Sequence, residues 1–401
     1  MRRRRSADDG APPPAYSRSA RPRRAPRDRM EPGEVVREAW RDVSTGVARP
    51  LLAAGVLALI MAMSGVWAAR GVVDLSQEAR EFRTAGASTA IMTMEMVVDG
   101  AVCDSLATYP GIEAAGALRP VAQGVRFAVS PSRAIPLFEV SVGFIDLLSV
   151  IGAARANPDG GGVSGVWLPE ATAEALGLAP EGPWPDLAIP AGGQVRVAGL
   201  YTFPEDGRQQ DLSFAVLAPV PAPDGLALDS CWAELWPATY EVSRLAVAVE
   251  PLRIDGSKAV NPTFAQLNST LGEQFDGPAR FAEVARAPGV ALAGAASLAA
   301  GFVLIRVRRL ELADSRHCGL SWATQGWTML AEAACWILPA AAVAAPVVLI
   351  AALAGNPEPP GPAAAAGAMA VVCAAAGAAV GTLLGTWTIA ERQLFQMVKN
   401  R

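Results

Sequence analysis

The sequence predicts an α-helical membrane protein with four transmembrane helices and one large extracytoplasmic α/β domain inserted between the first and second. Three observations lead there. The 401 residues are 52% hydrophobic and only 18% charged, too apolar for an ordinary water-soluble chain. Four apolar runs, residues 50–69, 288–305, 329–354 and 363–388, are each long enough to cross a hydrocarbon core of about 30 Å. Between the first two lies a charged stretch of mixed helix and strand pattern, residues 70–287. The net charge of -4 hides an asymmetry that sets the orientation. Up to Arg49 there are 13 basic against 7 acidic residues, and from Arg70 to residue 287 there are 14 against 26. By the positive-inside rule both termini lie in the cytoplasm and the central domain lies outside the inner membrane.

Residues 1–33 are rich in arginine, proline and alanine and poor in aliphatic residues, so they are expected to be a disordered basic tail. Nucleic-acid binding and association with anionic lipid compete for the clusters at Arg2 to Arg5 and Arg21 to Arg29. A span directly downstream favours the lipid surface, and no nucleic-acid partner is expected. In residues 34–49, Val36, Trp40, Val43 and Val47 recur at helical spacing, as in an amphipathic helix lying in the inner interface. Pro50 then opens the first span, residues 50–69. A cleaved signal peptide is the competing reading, and about fifty preceding residues with no small-x-small cleavage site argue against it.

In the central stretch, residues 88–95 and 136–142 alternate as strands do, and Asp99 is placed to cap a helix running to about Tyr109. Gly116 and Gly124 punctuate residues 113–129 as a hairpin or bent strands. A strand at Val166, a short helix over 171–178 closed by Gly177, and a strand over 193–201 follow. Trp232 and Trp236 can line a groove, but core packing is the commoner use of such residues. Of five cysteines, only Cys103 and Cys231 fall in this exterior stretch. In an oxidising compartment a disulfide is the leading expectation, with two separate buried thiols as the alternative. A loop of more than a hundred residues closed this way is stabilised by roughly 4–5 kcal/mol in the chain-entropy treatment.

The second span, residues 288–305, carries Ala293, Ser297 and Gly301 at four-residue steps, a stripe for close helix packing. The fourth, residues 363–388, repeats the device with Gly377, Gly381 and Gly385. Pro339 and Pro346 are expected to bend the third span. A tight outer turn separates the third and fourth spans, and residues 389–401 form a cytoplasmic tail with a basic excess. Glu332 stands at the cytoplasmic end of the third span, where an acid is costly and tends to be functional. It can snorkel or face a cytoplasmic partner there, and proton coupling is the bolder reading.

The polar segment between the second and third spans, residues 306–328, begins Arg-Arg-x-Glu-Leu-Ala at Arg308 and continues through Arg316, Gly319 and Ser321 toward Glu332. Leu310, Ala313, His317 and Leu320 recur at three- and four-residue steps, with Arg309, Glu311, Asp314 and Arg316 largely on other faces. A short surface helix closed by Gly319 is expected, its Glu311 and Arg316 open to an outside partner. The order and spacing resemble the permease domain of FtsX/MacB-type ABC systems, with departures at Asp314 and Ser315, where apolar residues are usual, and at Trp322 and Ala323, where basic ones are common. More loosely, the strand, helix and strand phrase over residues 166–201 resembles the MacB-like exterior core domain. The resemblance implies a permease subunit whose cytoplasmic coupling loop docks on a separate ABC ATPase through Arg309, Glu311, Arg316, Gly319, Ser321 and Glu332. It further implies a dimer with a second copy or a homologous permease, with exterior motion driven by ATP and no cofactor of its own.

The chain has no G-x-x-x-x-G-K-[ST] loop, and its only lysines are Lys258 and Lys399, so ATP is expected on the partner subunit. His317 is the sole histidine and lies on the inner loop, and no G-x-S-x-G occurs. No metal site, and no catalysis by a histidine-based triad, is expected. Two alternatives stand beside a transporter: regulation of an exterior cell-wall hydrolase, and a membrane-anchored sensor without an ATPase.

Overall fold

The computed structural model describes residues 50–151, 154–158, 164–221, 227–237, 261–286 and 288–389, with positions 33, 37 and 41. The basic tail, most of the expected interfacial helix with Trp40, and residues 390–401 lie outside them. Among the described residues four helices are long and apolar enough to cross a membrane: Pro50–Thr84, Gly277–Val307, Trp322–Leu353 and Gly361–Trp387. The described residues fall into two compact units. One takes in 58–296 and 340–376, the other 50–57, 297–339 and 377–389.

Helix α1 (Pro50–Thr84) opens on a proline, whose missing N–H costs nothing in a first turn. Its 35 residues extend about 52 Å, roughly fifteen residues more than a hydrocarbon core of about 30 Å requires. This extension leads straight into a mixed nine-stranded sheet. Its strands are β1 (Thr89–Asp99), β2 (Ile112–Val125), β3 (Ile135–Val140), β4 (Arg155–Ala156), β5 (Val166–Pro169), β8 (Val197–Tyr201), β9 (Val216–Pro219), β10 (Ala227–Leu235) and β11 (Thr263–Gln266). They are ordered β11-β1-β10-β2-β3-β9-β5-β8-β4, with β6 (Leu187–Ala188) and β7 (Gln194–Val195) forming a separate pair. The pairs β3–β9 and β5–β8 are parallel and the other sheet neighbours antiparallel.

Alternate residues of β1 and β10 serve opposite faces, as the pleat requires. On one face Ile91 and Trp232 join Phe144, Leu147, Leu148 and Ile151 of helix α3 (Val142–Ile151), with Phe144 edge-on to Trp232 at 5.4 Å. On the other, Met92, Cys231 and Ala233 pack with Cys103 and Leu106. Helix α2 (Gly100–Ser105) covers this second face, and Asp99 caps it by accepting from the amides of Ala101 (2.9 Å) and Val102 (3.2 Å). Cys103 and Cys231 form a disulfide with Cα atoms 5.9 Å apart, closing 128 residues of chain.

Several local expectations are redrawn. The helix after Asp99 ends at Ser105 and continues only as a 3₁₀ turn, Leu106–Thr108. Residues 112–125 form one long strand in which Gly116 makes no turn. A Cβ there would run into the backbone of Phe144, so this glycine lets α3 approach the sheet. The strand expected through residue 142 stops at Val140, because Val142 opens α3. The strand expected over 193–201 is split into β7 and β8. Helix α4 (Glu170–Ala175) ends before Gly177, whose φ of +81° supplies the left-handed turn.

The extension of α1 is fastened to this sheet. Arg83 reaches Glu234 of β10 at 3.5 Å and pairs with Glu113 of β2, while the Phe82 and Phe275 rings lie 5.6 Å apart. Arg208 is buried and donates to Thr84 O at 2.7 Å and Ile151 O at 2.9 Å. Helix α5 (Gly277–Arg286) adds an Arg280–Glu78 pair. In this same unit α1 meets α8 (Trp322–Leu353) and α9 (Gly361–Trp387) where Gly65 lies against Val348 and Gly367.

Candidate coupling loop

The polar segment between α6 (Pro288–Val307) and α8 folds as a nine-residue helix, α7 (Arg309–His317), within the unit containing residues 297–339 and 377–389. Its end is a Schellman turn. Gly319, at φ +100°, sends its amide to Arg316 O (2.8 Å), and Leu320 sends its amide to Ser315 O (3.2 Å). Ser321 then caps α8, its Oγ accepting from the Thr324 amide at 3.2 Å. Gly319 and Ser321 therefore build the sharp α7–α8 corner.

Two arginines fix α7 from opposite ends. Arg308, at the α6–α7 junction, donates through Nε and Nη2 to both oxygens of Glu311 (3.0 and 2.7 Å) and through Nη1 to Glu332. Glu332 is buried while the Glu311 side chain is 46% exposed. Arg316 lies on the inner face of α7, not on an open one. It donates to Gln325 Oε1, Ile389 O and Thr386 O (2.9 Å), and Trp322 stacks on its guanidinium at 3.3 Å. Gln325 returns a bond to Leu312 O at 2.8 Å. The buried face is thus Leu312, Ala313 and Arg316, the first two in an apolar cluster completed by Ile305, Met329 and Ile389. His317 is exposed and Leu310 half-buried, so the phase read from apolar spacing is shifted. The physical reason is that carbonyls at the end of α9 make a buried arginine affordable. Arg309, Glu311, Asp314 and His317 form the open side.

The small residues of the spans come together in part. A Cβ on Gly301 of α6 would strike Ala378 O of α9, and one on Gly381 would strike Leu298 O. One on Gly385 would lie 2.9 Å from Ile305 Cβ. Ser297 and Ala293 are buried and Gly377 is half-buried. Sequence reading assigns Arg308 no role beyond opening the loop motif, and it does not point to Gln325 and Thr386 at the loop or to the Gly65–Gly367 approach of α1 and α9. The latter had a signal, since Met61, Gly65 and Ala69 stand four apart and both flanking residues are fully buried.

Outside the loop, Glu234 is a fully buried carboxylate accepting from Ser88 Oγ (2.6 Å) and Thr89 Oγ1 (2.9 Å). Burial raises its pKa, against the opposing pull of those hydroxyls and Arg83. Asp104 is likewise raised by burial, although Ser141 and the Gly143 amide bond to it. An open cleft of about 470 Å³, lined by Gln77, Arg80, Glu81, Thr84, Gly355, Asn356 and Pro357, mixes charges of both signs. No group of three metal-ligating side chains occurs among the described residues.

No family profile and no curated protein matches this sequence significantly. Among the solved structures similar to part of it are the following two. The periplasmic region of MacB from Actinobacillus actinomycetemcomitans is 12% identical, with a TM-score of 0.33 over 47% of this chain and 94% of that one. A domain of a putative permease protein from Porphyromonas gingivalis is 13% identical, with a TM-score of 0.34 over 49% of this chain and 98% of that one.

Proposed function

We propose that this chain is the membrane-spanning, non-catalytic subunit of an ABC-type transporter, driven by a separate cytoplasmic ATPase that docks on α7. The observation that carries the reading is the construction of the loop. A nine-residue helix is fixed at both ends by arginines bonded to the spans, yet its Arg309, Glu311, Asp314 and His317 side remains open. A helix held that firmly moves as one body with the span ends it is bonded to, which suits a lever better than a passive linker. The fastening of the α1 extension to the sheet through Arg83, Phe82 and Thr84 supports a matching role at the other end of α1, where span motion would reach the exterior domain. ATP would bind the partner, and this chain would convert its closure into exterior movement in export or extraction of a substrate, as one half of a dimer.

A mild-detergent pull-down of the tagged full chain from its native cells tests this. A cytoplasmic protein with a Walker A motif should co-purify, and the double variant Arg309→Glu/Asp314→Arg on the open side should release it while the Cys103–Cys231 disulfide still forms. Recovery of no ATPase, under conditions that keep a known transporter intact, would overturn the reading.

A further inference from the structure

Arg308 holds two carboxylates of very different standing. Its guanidinium is a rigid planar fork, so three of its N–H directions are fixed relative to one another. Two of them grip Glu311 on the first turn of α7, and a third holds Glu332 on α8. The Glu311 side chain is 46% exposed, whereas those of Arg308 and Glu332 are 10% and 6% exposed. Withdrawing the cation from a buried carboxylate is costly, while an exposed carboxylate exchanges partners at little cost. Arg308 and Glu332 therefore behave as the fixed pair and Glu311 as the exchangeable third member. Arg308 also stands at the junction of three elements. Its amide closes the end of α6 on Ile305 O (3.0 Å), and its carbonyl accepts from Leu312 of α7 at 3.2 Å.

Building on the coupling reading, we propose that Arg308 is the positioning residue that carries docking at α7 into the base of span α8. A partner cation that takes Glu311 away releases two of the three directions of the fork. The guanidinium re-seats on Glu332, and the lower end of α8 shifts with it. Lysine cannot replace it, because a single ammonium lacks the fixed fork that ties both carboxylates to one orientation.

Native cysteines provide separate reporters of the two steps. Cys318, exposed directly after α7, reports docking; Cys335, half-buried on α8 about one turn from Glu332, reports what reaches the span. The experiment follows N-ethylmaleimide labelling of each by peptide mass spectrometry. It uses the full chain in membranes with the ATPase that co-purifies with it, with and without a non-hydrolysable ATP analogue. In the wild type Cys318 should be protected by the ATPase, and the Cys335 labelling rate should change on nucleotide binding by about threefold or more, as for a shifted conformational population. In Arg308→Gln, Arg308→Lys and Glu332→Gln, Cys318 should stay protected while the Cys335 response falls to under about half that change. A Cys335 response of wild-type size in variants that still protect Cys318 would overturn the proposal and leave the docking reading intact. A wild-type Cys335 that ignores nucleotide would overturn it too. Unprotected Cys318 in the wild type would sink the docking reading and, with it, the proposal. Arg308→Lys keeps the positive charge beside Glu332, which guards the test against loss through misfolding alone.

Discussion

Arg316→Met separates two readings of the α7 segment, because the sequence offers this arginine to an outside partner whereas the structure makes it an internal strut. Methionine keeps much of the side chain's length and apolar stem but removes every donor. Gln325 Oε1, Thr386 O and Ile389 O would then lose the guanidinium that serves them. A buried acceptor left unserved costs about 1–3 kcal/mol, and a cation at a helix C-terminus adds roughly 0.3–1 kcal/mol. Against this, relief from burying the charge, together with access of water to the terminal carbonyls, removes about half of the total, leaving a net loss of about 3 kcal/mol. The assay is thermal unfolding of the detergent-solubilised full chain, followed by tryptophan fluorescence, with Arg309→Met as the exposed control. Arg316→Met should lower the midpoint by on the order of 6 °C, and the control should stay within about 1 °C. If the two variants melted together while Arg316→Met alone lost the ATPase, Arg316 would be a docking residue and the strut argument wrong.

The other predictions address the sheet domain and the long apolar helices. Removing the disulfide with the double variant Cys103→Ser/Cys231→Ser should destabilise the sheet by up to about 4–5 kcal/mol, and alkylation of the unreduced wild type should leave these two cysteines unmodified. Gly381→Leu should disrupt the α6–α9 crossing at a cost of about 1–3 kcal/mol or more, since its Cβ meets Leu298 O, read as a lower unfolding midpoint of the full chain. Gly319→Ala meets no atom and should cost only about 1 kcal/mol, for its positive φ. Glu234 has a folded pKa raised above its ordinary 4.5, so the folded state binds its proton more tightly than the unfolded chain. Its contribution is fully present below that ordinary value and is lost as pH rises through the folded pKa. Glu234→Gln should therefore flatten the decline of the unfolding midpoint as pH rises above about 4.5, and a slope equal to wild type would refute the assignment.

Parts of this protein that answer to a one-dimensional constraint were legible in its sequence. Spans are set by length and apolarity, and local signals such as Asp99 at a helix start or Gly177 at a helix end act within a few residues. Helix α3 carries a legible stripe, Phe144, Leu147, Leu148 and Ile151 at i, i+3, i+4 and i+7 with Asp146 and Ser149 exposed, which the expectation of a strand running through Val142 obscured. Strands β5 and β8 are buried at every residue and show no alternation, yet both were expected from the sequence, and only the break between β7 and β8 was missed. The polar loop between α6 and α8 was legible as a short helix closed at Gly319, but its internal bonds were not. Arg316 meets carbonyls 70 and 73 residues away, and Arg308 meets Glu332 across 24. One trace of the first was present in the chain. Helix α9 ends at Trp387 with no basic residue in its last turn and no glycine following; Thr388 serves the carbonyls of Leu384 and Gly385, which leaves Thr386 O with only a long bond from the Ile389 amide and room for a donor from elsewhere. An arginine on a neighbouring short helix is well suited to supply it, because one guanidinium can serve several carbonyls at once. The charge that marks Arg316 as a surface residue in a helical wheel is what lets it close the end of α9. An incompletely capped helix end beside a charged loop is therefore a reason to look inward for that charge before assigning it to a partner.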